Sequence, residues 1–174
     1  MVLIVVMGVS GCGKSTIGAL IARKLGCEFQ DADAVHSKEN KSKMAQGIPL
    51  TDEDRLPWLL SLHEILKGWS NKSTSGVLAC SALKKSYRDI LRSGNCDTSE
   101  TENELLFVFL LGRREVLAKR LADRQSHFMP CSLLESQLAA LEIPDSTENY
   151  MALDITFSAD KLSNEVINHL QTMT

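Results

Sequence analysis

The sequence carries no excess of basic charge: 19 Lys and Arg stand against 22 Asp and Glu, for a net charge of -3. Without a basic field there is nothing to hold an extended nucleic acid, so its partners are small anions met by individual cations. Nor are any two cysteines placed at metal-ligand spacing. The five present, Cys12, Cys27, Cys80, Cys96 and Cys131, are odd in number and scattered, and read as reduced thiols in a cytosolic protein. No apolar run approaches the roughly 20 residues that span a bilayer. No charged and apolar leader precedes the first apolar segment. A cytoplasmic protein with no membrane partner is expected. Internal repeats are lacking too, and 174 residues, 44% of them hydrophobic, suffice for one domain spanning 1–174.

Against these absences stands one dense motif. Residues 2–7 are aliphatic without alternation, as in a strand covered by helices on both faces. Directly after them comes Gly8-Val9-Ser10-Gly11-Cys12-Gly13-Lys14-Ser15, followed by Thr16. This is the phosphate-cradling P-loop spacing. Its glycines let backbone N–H groups turn toward an anion, Lys14 reaches the outer phosphates, and Ser15 is placed to ligate Mg²⁺. The following helix adds the positive end of its dipole.

Beyond the loop, Ile17, Leu20, Ile21 and Leu25 form a helical stripe that stops at Gly26. A short strand is expected near 28–30, a polar helix over 38–46, and a longer helix opened by a capping box at Thr51 to Asp54. That helix carries Leu59, Leu62, His63, Leu66 and Trp69 at helical spacing. A third strand is expected over 77–80, with a helix opening at 81–84, and a fourth strand over 105–111. Between them, residues 93–103 are polar and aperiodic and read as a flexible surface insertion. A basic helix follows, broken at 127–130 and resumed over 133–141, and then a last strand near 152–157 and a helix capped by Ser158. Strands alternating with helices predict an α/β fold, a doubly wound parallel sheet flanked by helices.

Asp31 and Asp33 follow the second strand, at the edge where open α/β sheets bind ligands. Two apart in an extended segment, both carboxylates would face the P-loop. One is suited to hold water on Mg²⁺ and the other to accept a proton from a substrate hydroxyl; capping a helix is the alternative for either. Arg55 sits in a first helical turn, where a cation is disfavoured, and is a candidate anion ligand; a solvated side chain is its alternative. Lys84 and Arg88, four apart, are candidates for a polyol or an anion, with solvated side chains as the alternative. Arg120 and Arg124, also four apart, precede the helix break and are placed to bring positive charge over a migrating phosphoryl group; a charged outer helix face is their alternative. His127 either orders that segment or touches substrate, and His63 reads as a core residue. No aspartate follows the third or fourth strand as a motor ATPase would need, and Asn40-Lys41-Ser42-Lys43 and Asn71-Lys72-Ser73-Thr74 lack the aspartate of a guanine-reading motif.

Together these motifs resemble the small P-loop gluconokinases, relatives of shikimate kinase and the nucleoside monophosphate kinases. The resemblance runs from Met7 to about Pro144. It rests on residues 8–16; Asp31-Ala32-Asp33 with His36; Asn40, Lys43 and Met44; Gly47-Ile48-Pro49-Leu50 with Asp52, Asp54, Arg55 and Trp58; Cys80-Ser81-Ala82-Leu83-Lys84 with Tyr87-Arg88; and His127-Phe128-Met129-Pro130 with Ser136-Gln137. Shikimate kinases would instead carry a run of glycines after the third strand. The resemblance implies a P-loop kinase fold with a helical substrate-binding region and a mobile lid at about 120–135. It implies ATP-dependent phosphorylation of D-gluconate at the 6-hydroxyl, with Mg²⁺, and leaves a homodimer open. By position, Lys14 and Ser15 serve the phosphates and Mg²⁺, Asp31 the metal's water shell, Asp33 the hydroxyl and Arg55 the carboxylate. Arg120 and Arg124 close over the phosphates, and His36, Lys84, Arg88 and His127 belong to the substrate shell. The sequence departs from the pattern at Ala34 and Val35 and at Cys12, which a loop that binds through backbone N–H groups tolerates. Two other readings stay open: a related kinase for another sugar acid, shikimate or a nucleotide, and a nucleotide-binding interaction protein without catalysis.

Overall fold

In the computed structural model, which describes residues 1–95, 104–123 and 131–172, five parallel strands form one sheet in the order β2-β3-β1-β4-β5. The strands are β1 (Leu3–Met7), β2 (Glu28–Asp31), β3 (Gly76–Ala79), β4 (Leu105–Leu111) and β5 (Tyr150–Asp154). The doubly wound α/β expectation holds, and the aliphatic first strand is the central one. Its lack of alternation has a direct cause, because each face of β1 feeds a separate core. Leu3, Val5 and Met7 pack with Trp58, Leu62, Leu66, Phe107 and Phe109. Ile4 and Val6 pack on the other side with Ile17, Ile21, Leu117, Leu134 and Val166. All five β1 residues are buried.

The first core is closed by α3 (Asp52–Asn71) and α4 (Lys85–Ser93), the second by α1 (Lys14–Leu25), α5 (Arg114–Ala122), α6 (Cys131–Ala140) and α7 (Ala159–Thr172). A shorter helix, α2 (Lys38–Ala45), lies between β2 and α3 in the chain. The stripe Leu59, Leu62, His63, Leu66 and Trp69 is buried along α3 as its spacing predicts. The capping box is present, with Asp54 N–H donating to Thr51 Oγ1 at 3.2 Å and Thr51 N–H to Asp54 Oδ2 at 3.1 Å. Ser158 caps α7, accepting from Lys161 N–H at 3.3 Å. Among the described residues no helix is long and apolar enough to cross a membrane.

Two boundaries differ from expectation. The last strand lies at Tyr150–Asp154, earlier than 152–157, because this edge strand is buried mainly at Leu153 and has no clean apolar run to mark it. The helix expected from 81–84 begins at Lys85. The residues before it form a turn in which Ala82 takes a left-handed φ of 45°. The polar stretch expected over 93–103 lies largely outside the described residues; α4 ends at Ser93 with Gly94 in the left-handed conformation.

Gly76 opens β3 because nothing larger fits: a Cβ there would lie 2.2 Å from the Trp69 ring. Trp69 is pinned in turn by a 3.0 Å hydrogen bond from Nε1 to Glu28. Gly76→Ala is therefore expected to cost about 1–3 kcal/mol by overpacking. The measurement is a lowered urea midpoint at unchanged m-value; an unchanged midpoint would show that the ring yields freely.

Candidate active site

Chain order reverses at β1: β2 and β3 lie on one side of it, β4 and β5 on the other. Ligands of such sheets bind in the crevice beyond the strand C-termini at that point, and the P-loop emerges there. Gly8, Gly11 and Gly13 have φ of 141°, 83° and 100°, values that L side chains rarely adopt. At Gly8 a Cβ would also meet Cys12 Sγ at 2.9 Å and the Leu110 carbonyl at 3.0 Å. Gly13 leads into α1, whose first turn holds no acidic residue and no side-chain cap. Its N-terminal amides and dipole are left for an anion. Lys14 Nζ lies across the loop, donating to the Val9 carbonyl at 3.1 Å. Cys12 turns its buried side chain into the core, away from the cradle.

Ser15 Oγ donates to Asp31 Oδ2 at 2.5 Å. The other Asp31 oxygen accepts from Asp33 N–H at 3.0 Å, capping a short 3-10 helix at Ala32–Val35. Asp31 thus does both things weighed for it: it caps a turn and it reaches the loop. Asp33 does not follow along an extended segment as expected. The chain turns at Asp31, and Asp33 stands exposed in the helical turn. Even so, it shares an environment with the loop and with α3. The buried Cys80 thiol is pushed up to about 12, chiefly by burial, and the charges of Asp33, Lys14 and Arg55 all act on it. Charges from three segments distant in sequence act on one buried thiol.

Ser15 and Asp31 supply hard oxygen donors, the kind that suits Mg²⁺. Among the described residues no group of three or more His, Cys, Asp or Glu is arranged to hold a metal ion. A cation held by Ser15 and Asp31 would take the rest of its shell from water and phosphate oxygens, which is the usual habit of Mg²⁺.

Arg55, in the first turns of α3, is half-buried with its guanidinium 5.8 Å from the centroid of the Tyr87 ring. Lys84 Nζ lies 5.5 Å from the same centroid and donates to both Asp52 oxygens at 2.8 and 3.0 Å. The Tyr87 hydroxyl also donates to Asp52. These two donors hold the Asp52 carboxyl below its ordinary value, and Asp52 holds the Lys84 ammonium above its own. Lys84 is therefore anchored at the rim of the crevice. Asp52 and Tyr87, which sequence reasoning noted only as part of the resemblance, are what anchor it.

His36 is 6% exposed and stacks on Trp58, with centroids 4.1 Å apart and an interplanar angle of 12°. Burial pushes its pKa down against the pull of Asp33, so the imidazole is neutral. Its Nδ1 is buried without a hydrogen-bond partner. Trp58 fixes the turn beneath it by donating to the Ala32 carbonyl at 2.8 Å.

Arg88 is a correction. It is not a substrate ligand on a helix face: it is 1% exposed and forked onto Glu148, at 2.6 Å from Nε and 2.9 Å from Nη2. Its Nη1 donates to the carbonyls of Ala82, Leu83 and Glu142 at 3.0–3.2 Å. These bonds hold the left-handed Ala82 turn that carries Lys84. Sequence reasoning missed the role because Glu148 lies 60 residues away, in an aperiodic loop.

Arg120, near the end of α5, donates to the Cys12 carbonyl at 3.4 Å and to the Ile155 carbonyl at 2.6 Å. It lines a recess of about 280 Å³ with Gly13, Thr16, Ile155, Phe157 and Leu162, on the outer side of the loop. A larger cavity of about 480 Å³ lies at Met1, Leu25, Ser70 and Leu170, by the N-terminal ends of β1 and β4 and away from this chemistry. Arg124 and His127, and with them residues 124–130 of the expected lid segment, lie outside the described residues.

Comparison with known proteins agrees with this geometry. The shikimate kinase family profile matches residues 10–173. A gluconokinase of Arabidopsis thaliana is 44% identical over 170 residues, covering 94% of this chain and 89% of that protein. The chain belongs to the gluconokinase family. Among solved structures, a gluconokinase from Sinorhizobium meliloti 1021 superposes with a TM-score of 0.83 at 43% identity, covering 99% of this chain and 93% of that one. A sugar kinase from Janibacter sp. HTCC2649 gives 0.89 at 44% identity, covering 98% and 95%. Membership in a kinase family carries ATP use with it, and the phosphate cradle is its structural counterpart.

The Arg88–Glu148 pair gives the prediction for this region. Burial alone would raise the Glu148 carboxyl, but the hydrogen bonds and charge of Arg88 hold it below its ordinary value of 4.5. Its contribution to stability is complete above that pH and is lost as pH falls through the folded value. Glu148→Gln leaves a buried guanidinium unpaired and is expected to cost about 3–5 kcal/mol at neutral pH. Urea titration of both proteins at pH 7 and pH 4 checks this: the gap should shrink at the lower pH, and an equal gap at both would remove Glu148 from the acid response.

Proposed function

We propose that this chain transfers the terminal phosphoryl group of ATP to the 6-hydroxyl of D-gluconate, giving 6-phospho-D-gluconate and ADP, in the cytoplasm and as one kinase domain. The observation that carries the reading is the P-loop facing an acid from the end of β2: Lys14 lies across a loop of positive-φ glycines, and Ser15 Oγ donates to Asp31 Oδ2 at 2.5 Å, beyond the C-terminal ends of the central strands. Asp33, which follows in the same turn, and Arg55 of α3 are read as the carboxylate for the hydroxyl and the guanidinium for the acid. The identity to gluconokinases across nearly the whole chain supports the choice of acid.

In this reading the loop amides, the N-terminus of α1 and Lys14 bind the phosphates, and the recess beside Arg120, with its apolar walls, takes the base. Ser15 and Asp31 hold Mg²⁺, which when bound neutralises phosphate charge. Arg55 takes the gluconate carboxylate in a two-point fork. Lys84, steadied by Asp52, lines the polyol, and neutral His36, stacked on Trp58, backs the turn that carries Asp33. Asp33 orients the 6-hydroxyl and receives its proton as that oxygen bonds to phosphorus. The bond from phosphorus to the bridging oxygen breaks, and its electron pair leaves with ADP. Arg124 and His127 are assigned by the resemblance to the phosphates and the substrate. Holding the partners in line and balancing charge account for most of the rate in such transfers.

The test is ADP release against gluconate, other aldonates, shikimate, glucose and nucleoside monophosphates. Turnover is expected with gluconate; activity confined to a nucleotide would overturn the reading. Lys14→Ala is expected to abolish turnover. Arg55→Ala should raise KM for gluconate by about tenfold or more, the worth of a charged hydrogen bond, and an unchanged KM removes Arg55 from the carboxylate. Asp33→Asn should lower kcat by about 10²-fold with ATP binding retained; near-normal turnover would leave Asp33 no part in the proton's path.

A further inference from the structure

The P-loop has a conformational problem that its own residues solve only in part: Lys14 Nζ and Cys12 N–H both donate to the Val9 carbonyl, and neither reaches the tip at Ser10. Three of its glycines are held at positive φ, the residue type with the most backbone freedom to lose. A cradle nonetheless needs its donors held within about 0.5 Å of the working geometry. The described contacts show how the tip is held. Gly11 lies under α5, where a Cβ would meet Leu121 Cγ at 3.0 Å. Ser10 is gripped at two points by Gln137 of α6: its N–H donates to Gln137 Oε1 at 2.6 Å, and Gln137 Nε2 donates to Ser10 Oγ at 3.0 Å. The grip spans 127 residues of sequence. It is backed by Leu133 and Leu134, which are buried, and by Leu138, packed against the same core as Val9.

We infer that Gln137 is a positioning residue of the phosphate cradle, fixing Ser10 and with it the curvature of the loop before nucleotide arrives. Its primary amide is matched to the task, since one group must accept from the backbone and donate to the hydroxyl at once. With the amide gone, Val9 and Cys12 keep their ties to Lys14 and Arg120, but Ser10 at the tip loses both of its own and is ordered on binding, so nucleotide affinity carries that entropic cost. The acceptor side, built on β2, α3 and the β3–α4 turn, is untouched. The inference rests on the phosphotransfer reading of the loop, not on the identity of the acceptor.

The test uses the full chain and Gln137→Leu, of similar volume but with neither hydrogen bond. Three readings are taken: exchange of the Ser10 amide by NMR, affinity for MgADP by calorimetry, and kcat against KM for gluconate. The expected result is a Ser10 amide protected in the original protein and exchanging at least tenfold faster in the variant. MgADP affinity should fall five- to tenfold and kcat several-fold, with KM for gluconate within twofold and the melting temperature unchanged. An unprotected Ser10 amide in the original protein, or MgADP affinity within twofold in the variant, overturns the inference. If Gln137→Leu does not fold, Ser10→Ala removes the Oγ arm alone and should weaken MgADP two- to threefold; unchanged affinity there overturns it equally. Absence of gluconate turnover in the original protein would instead refute the acceptor assignment, while the exchange and MgADP readings still decide the role of Gln137.

Discussion

The β3–α4 turn at the rim of the candidate site hangs from one buried ion pair. Arg88 and Glu148 are both out of contact with solvent, and in that setting the charges persist only because each neutralises the other and the remaining guanidinium hydrogens find carbonyls. Those carbonyls belong to Ala82, Leu83 and Glu142. The pair therefore does more than join two segments. It fixes a turn whose left-handed alanine would otherwise relax, and Lys84, Tyr87 and through them Asp52 take their places from that turn. Glu142 adds a second tie, accepting from Lys85 N–H at 2.7 Å and donating its own N–H to Leu83 at 2.8 Å.

The donor half is built differently, and the difference explains what could be read in advance. Strand, loop, lysine and helix are contiguous, and each local requirement leaves its mark in the sequence: β-branched and aliphatic residues for a strand buried on both faces, glycines for positive φ, no acid in the first helical turn. Asp31 was legible because a strand end is a fixed place in such a fold. Asp33 was legible as a residue but not as a geometry, since alternation along a strand stops applying once the chain bends into a 3-10 turn. Arg88 was misread because i, i+4 spacing with Lys84 suggests a shared helix face, whereas Lys84 precedes the helix and Arg88 points inward. Nothing near Glu148 announces a partner. The capping box and the α3 stripe could be read because both are local; the Ser10–Gln137 grip could not, because it is a contact between distant segments with no periodic signature.

Charges from both sides of the candidate site act on the buried Cys80, and its protonation state bears on the electrostatics there. Burial drives the thiol to about 12, so at neutral pH it contributes neither a nucleophile nor a charge. Cys12 is equally turned away, into the core. Neither of the two cysteines within these motifs is exposed. A neutral thiol also matters electrostatically. A thiolate there would oppose the charges of Lys14 and Arg55 and repel Asp33; protonated, it adds no negative charge. In the proposed reading, two anionic partners meet cations delivered by separate elements, Lys14 at the loop for the phosphates and Arg55 of α3 for the acid.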